Sequence, residues 1–189
     1  MRVAILFEES GYIRSEFIRQ GHDCVSVDLL PAADKSKYHY TNDVFVFLEH
    51  CKRFDLIIAS PVCRYMAVAG NRHYAGTEQR ENAVALTRLC WEMAKEKADR
   101  VCFENPVSVM DCPGASKQVV QPWHFRVAES KATVLHTHNL PPLDLWVTER
   151  PEVVHEVVWK MGPSPDRSRL RGHLPWLARP MAEQWGRLA

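Results

Sequence analysis

The sequence predicts an α/β fold: a mostly parallel sheet with helices on both faces and an antiparallel edge toward the C-terminus. Three observations predict it. Short continuous apolar runs occur at residues 3–7, 56–59 and 101–103. Strands buried on both faces read this way, without polar alternation. Segments of helical periodicity separate the runs, and repeated strand–helix–strand alternation builds a parallel sheet with helices on both faces.

In order, residues 3–7 are the first strand. Ser10-Gly11 then opens a helix carrying Ile13, Phe17 and Ile18, which Gly21 ends. Residues 24–28 are the second strand. Residues 43–52 place Val44, Phe47, Leu48 and Cys51 on one helical face. After the strand at 56–59 comes the longest helix, 77–97, with a stripe of Leu86, Leu89, Cys90 and Met93. The strand at 101–103 follows. Residues 106–125 are rich in Pro, Gly and Gln, and residues 132–137 are a further strand of an antiparallel pair, broken off by Pro141-Pro142. Residues 160–171 read as a polar, basic loop. Residues 175–188 read as a closing helix with Leu177, Met181 and Trp185 on one face.

The chain of 189 residues suits one domain. Its 46% hydrophobic and 25% charged residues are those of a soluble globular protein. A net charge of +1 argues against a purely electrostatic nucleic-acid binder, though not against a local basic groove. No apolar run approaches the ~20 residues of a membrane span. The N-terminus is too short and too soon acidic for a signal peptide. The six cysteines, at 24, 51, 63, 90, 102 and 112, include no C-x-x-C pair. That disfavours zinc and fits small core residues in a reducing cytoplasm.

In parallel sheets ligands bind beyond the carboxyl ends of the strands. Four clusters fall there, and Asp43 stands at the start of the helix after the second strand. Phe7-Glu8-Glu9-Ser10-Gly11 is a turn into a helix, suited to close approach of a ligand, or else an ordinary connection. Asp28, with Leu29 beside it, can accept hydrogen bonds from ribose hydroxyls or stand as a solvated acid. Asp43, ahead of Val44, can cap its helix or accept from an adenine amino group. Ser60-Pro61-Val62-Cys63 ends an apolar strand, and Pro61 stiffens the loop that aims the thiol, with Arg64 adjoining. Glu104-Asn105 follows another such strand, and a Glu there is costly to bury unless partnered or used. Further on, Gln121, Trp123, Arg126, Lys131 and Thr133 mix aromatic and polar groups, as a base-stacking surface does and as a hairpin with a core Trp does. Arg167, Arg169, Arg171 and His173 form either a phosphate-contacting or a merely solvated loop.

In this order the clusters resemble the S-adenosylmethionine-dependent cytosine-5 DNA methyltransferases, more closely a short phage- and prophage-type branch of that superfamily. The resemblance implies a Rossmann-like methyltransferase fold over residues 1–189, with a cofactor half at about 1–60 and a catalytic and substrate half at about 60–189. It implies that Phe7, Glu8, Ser10, Gly11, Asp28, Leu29, Asp43, Val44 and Pro61 hold S-adenosylmethionine. Cys63 would add to carbon 6 of cytosine, Glu104 would grip ring nitrogen 3 and the amino group, and Asn105 would shape the loop. Arg64, Gln121, Trp123, Arg126, Lys131 and Thr133 would meet the substrate. Gln184-Trp185-Gly186 echoes the family's C-terminal Gln-x-Gly. Glu8-Glu9 and Val62 depart from the pattern, and there is little room for a target-recognition domain. The implied partner is therefore DNA, as single strand, duplex or free nucleotide, with target choice weak or supplied by a partner or a second copy. The setting would be the cytoplasm of a bacterium or phage-infected host. Two alternatives remain: the same chemistry on a free pyrimidine nucleotide, or with a different carbon-5 group, and a nucleic-acid-binding relative without catalysis.

Overall fold

A computed structural model describes residues 1–156 and 174–188. Seven strands form one sheet in the order β3-β2-β1-β4-β5-β7-β6. They are β1 (Arg2–Leu6), β2 (Asp23–Asp28), β3 (His39–Thr41), β4 (Phe54–Ala59), β5 (Ala98–Pro106), β6 (Ser116–Val120) and β7 (Thr133–His138). The first five run parallel, and β7 is antiparallel to both β5 and β6. The helices are α1 (Tyr12–Arg19), α2 (Val44–His50), α3 (Asn71–Tyr74), α4 (Glu78–Lys97) and α5 (Pro175–Trp185).

Each central strand supplies both layers of core, as its unbroken apolar run requires. Val3, Ile5, Leu56 and Ile58 pack on one face with Phe17 of α1 and Leu177, Met181 and Trp185 of α5. Ala4, Leu6, Ile57 and Ala59 pack on the other with Leu48 of α2 and Trp91 of α4. No helix among the described residues is long and apolar enough to cross a membrane.

Two expectations are corrected. The inward stripe of α4 is Arg80, Thr87, Cys90, Trp91 and Ala94. Leu86 and Leu89 are 53% and 51% exposed. The large Trp91 ring decides the rotation: it meets Phe103 edge-on at 5.2 Å, and its indole N–H donates to the Pro113 carbonyl at 3.1 Å. The strand expected at 101–103 continues to Pro106, because β7 goes on pairing with Glu104, Asn105 and Pro106 after β4 has ended. The Pro-, Gly- and Gln-rich stretch contains β6, an edge strand in which Val120 is the buried residue, so it carries little apolar signal. The expected basic loop at 160–171, with Arg167, Arg169, Arg171 and the nearby His173, lies outside the described residues, as does Trp159.

Candidate active site

Strand register builds the site. Leu6 is level with Val27 and with Ala59, and Ala59 is level with Phe103. One residue further along, Asp28, Phe7, Ser60 and Glu104 therefore stand in a row at the carboxyl edge of the sheet. They border a cleft of about 800 Å³ that also takes in Leu29, Asp43, Val44, Pro61, Cys63, Arg64 and Asn105. Residues 76 positions apart in the chain thus share one cavity, Asp28 at one end and Glu104 at the other.

The Asp28 end suits a nucleoside. Asp28 is half-buried, and desolvation raises its carboxyl above the usual range even though Leu30 N–H donates to it at 2.9 Å. Leu29 and Leu30 beside it are 70% and 59% exposed on the cleft, an apolar wall of the kind a flat base covers. Asp43 does cap α2: its Oδ1 accepts from Phe45 N–H at 2.8 Å and Val46 N–H at 3.2 Å. It lines the cleft as well. Phe7 holds φ at 59°, a conformation bulky side chains rarely adopt, and such strain gathers where a site imposes it.

The opening turn divides its residues. Glu8 turns inward and is 7% exposed. Its carboxylate accepts from Ile13 N–H at 2.7 Å and Arg14 N–H at 3.3 Å, so two of the N–H groups that begin α1 are already occupied. Burial pushes this carboxyl up to about 7 against those two bonds. Arg14 is fully buried, donates to Ser26 Oγ at 2.6 Å and pairs with Asp34. Gly11 holds φ at 77°, and a Cβ there would lie 2.2 Å from Arg14 Nη2, so the turn requires glycine. Ser10 and Gly11 border a separate cleft of about 390 Å³ shared with Pro175 and Arg179.

At the other end, Glu104 is 6% exposed. Desolvation raises its carboxyl to about 7, opposed by the nearby Lys131 cation and a hydrogen bond with Ser60. Both protonation states are therefore accessible near neutral pH. Asn105, 1% exposed, donates from Nδ2 to the Pro61 carbonyl at 3.1 Å and so ties β5 to the Cys63 loop. Cys63 is partly buried and in no disulfide. Its carbonyl accepts from Met66 and Ala67 N–H, which curls the chain into a turn directly after the thiol. Arg64 is exposed at the cleft and donates to the Tyr74 hydroxyl at 3.2 Å.

The remaining candidates scatter. Gln121 Oε1 accepts from Lys131 N–H at 2.9 Å, and the fully buried Thr133 donates to the Lys131 carbonyl at 3.2 Å. These two hold the backbone of Lys131, whose charge reaches Glu104. Trp123 is partly buried, its ring 4.0 Å from that of His124, and Arg126 is exposed. Gln184 bonds the backbone of Asp144 at both N–H and carbonyl, 2.6 and 3.0 Å, which accounts for the Gln-x-Gly echo as a structural tie. Sequence reasoning missed the Ser60 hydroxyl, Arg14 and Arg80. Arg80 had a signal, since it stands at helical spacing with Thr87, Trp91 and Ala94. Arg14 had a similar one, three residues before Phe17 and four before Ile18 on the buried face of α1.

No protein-family model and no curated protein matches the sequence. Among solved structures, the chain superimposes on a methyltransferase of Entamoeba histolytica with a TM-score of 0.52 at 12% identity, over 87% of this chain and 60% of that one. For the Dnmt2 methyltransferase of S. pombe the TM-score is 0.49 at 13% identity, over 88% and 57%. For a protein described as a prophage-encoded DNA modification methyltransferase of E. coli it is 0.49 at 16%, over 72% and 46%. The chain thus spans between 46% and 60% of the length of these proteins. Likeness at such identity is likeness of fold, and the fold is that of the Rossmann-like methyltransferases, a seven-stranded sheet with an antiparallel edge.

Proposed function

We propose that the protein is an S-adenosylmethionine-dependent methyltransferase acting on carbon 5 of cytosine in DNA. The carrying observation is the meeting of Cys63, Glu104 and Asn105 with Asp28, Leu29 and Asp43 around one cleft. Its volume, about 800 Å³, is within the range of small-molecule sites. The donor set fits the cofactor's nucleoside part: Asp28 for ribose hydroxyls, and Leu29, Leu30, Val44 and Phe7 for an adenine ring. Glu8 takes up the Ile13 and Arg14 N–H groups of α1, so the cofactor's carboxylate would need other donors. When bound, S-adenosylmethionine supplies the methyl group.

The chain's own residues do the rest. Cys63 as thiolate adds to carbon 6, and the ring electrons shift toward carbon 5. Glu104, protonated, donates to ring nitrogen 3 and accepts from the amino group, stabilising the charge the addition creates. Asn105 keeps Pro61, and with it the thiol, in place. Once carbon 5 has lost its proton to a base or water, the thiolate leaves and carries the bonding electrons with it. Residues 60–77 contain no Asp or Glu, and Arg64, Arg72 and His73 are exposed on them, which supports a polyanionic substrate. Residues 1–189 act as one unit, with a cofactor half at about 1–60 and a catalytic half beyond it.

The inward turn of Glu8 favours one second reading, a nucleic-acid-binding relative that transfers nothing. Labelled methyl transfer from S-adenosylmethionine to single-stranded DNA, duplex DNA and dCTP decides. Wild-type transfer that falls by about 10³-fold or more in Cys63→Ser establishes the chemistry. Transfer that persists in the mutant sinks the Cys63 mechanism, and its absence from wild type favours the binding relative.

A further inference from the structure

Arg80 is a buried guanidinium on the inward stripe of α4, 9% exposed. A buried cation of this kind needs several acceptors to offset lost hydration. It finds all three in the segment just after Cys63. Nε donates to the Tyr65 carbonyl at 2.8 Å, Nη1 to Asn71 Oδ1 at 2.7 Å and Nη2 to the Ala67 carbonyl at 3.4 Å. Two turns along the same stripe, the Thr87 hydroxyl donates to Met66 Sδ at 3.5 Å. Ahead of the thiol, the Asn105 amide holds the Pro61 carbonyl. Cys63 therefore lies on a span fastened on both sides by buried side chains from different elements.

We propose that Arg80 is the positioning residue of the Cys63 loop: its planar fork gathers residues 65–71 against α4 and so fixes the direction of the thiol. An ammonium is a point donor and cannot reproduce a fork that spans three acceptors, so Arg80→Lys keeps the charge and loses the geometry. The consequence for methyl transfer rests on Cys63 being the nucleophile; the fastening itself does not. The experiment measures two things on wild type, Arg80→Lys and Asn71→Ala. One is trypsin cleavage after Arg64 and Arg72, which reports local opening of the loop. The other is kcat and KM for methyl transfer to DNA.

Arg80→Lys is expected to accelerate cleavage by about tenfold and lower kcat by about tenfold or more, with KM for S-adenosylmethionine within about twofold. Asn71→Ala removes one acceptor and changes both readouts in the same direction by about threefold, and it decides the matter if Arg80→Lys does not fold. Unchanged cleavage in both variants overturns the fastening. Faster cleavage with unchanged kcat overturns the positioning role. Faster cleavage with no methyl transfer even by wild type leaves the fastening standing and sinks the reading of Cys63 as nucleophile.

Discussion

Glu8 and Glu104 stand just beyond β1 and near the end of β5, 7% and 6% exposed, and burial pushes both carboxyls up to about 7. Their partners differ. Glu8 is met by two backbone N–H groups of α1, donors that cannot turn away or titrate. Glu104 is met by a hydroxyl and the charge of a lysine, both on side chains. The same desolvation therefore yields a structural acid in one place and an acid that can exchange partners in the other. Glu104 lines the large cleft. Burial and a raised pKa do not by themselves separate these two acids; the nature of their partners does.

The sharpest way to break this contrast is Glu104→Gln, which keeps the shape and removes the titrating proton. It is expected to lower methyl transfer by about 10²-fold or more. In wild type, kcat/KM should decline as pH rises above about 7, where Glu104 loses the proton it donates. A flat profile from pH 6 to 9 would remove Glu104 from the chemistry.

Glu8→Gln acts on stability. A carboxyl raised from 4.5 to about 7 by folding stabilises the native state fully below the unfolded pKa. That stabilisation is lost as pH climbs through the folded pKa. Thermal unfolding of wild type minus that of Glu8→Gln should therefore show a contribution that shrinks between about pH 4.5 and 7, by up to ~3 kcal/mol. Taking the difference cancels opposing groups such as His136, which burial pushes down to about 4. A pH-independent difference would mean that Glu8 is ionised throughout.

The smallest effect belongs to Ser60→Ala. Losing one hydrogen bond to the Glu104 anion raises that carboxyl further and moves the alkaline limb of the rate profile upward by less than about one unit. A downward shift would show that Ser60 bonds the protonated form instead.

Much of the site was legible in the chain. Apolar strands ending at Phe7, Asp28, Ser60 and Glu104 required only the rule that ligands gather beyond parallel strands, and the observed register puts the four side by side. Leu29, Asp43, Cys63 and Arg64 came with them into the cleft. Gln121 and Thr133 did not: both side chains are taken up in fixing the backbone of Lys131, a use that appears only once β7 folds back beside β5. The outward Leu86 and Leu89 show the same limit. Period 3.6 admits more than one stripe on a 20-residue helix, and the fit of Trp91 against Phe103 chose between them.

By itself the sequence determined which runs become central parallel strands, since unbroken apolar stretches are stable only between two layers of helix. It also offered the cap at Asp43, whose side chain reaches N–H groups two and three residues on. The tertiary structure alone decided the surroundings of the acids and the fastening of the Cys63 loop. Burial raises the Glu104 carboxyl against the opposing pull of Lys131 and Ser60, the Cys63 loop is held by Asn105 and Arg80, and Glu8 turns away from the cleft into the start of α1. Desolvation and hydrogen bonding depend on what stands within a few ångströms, and for Asn105 and Pro61 that neighbour is 44 residues away along the chain.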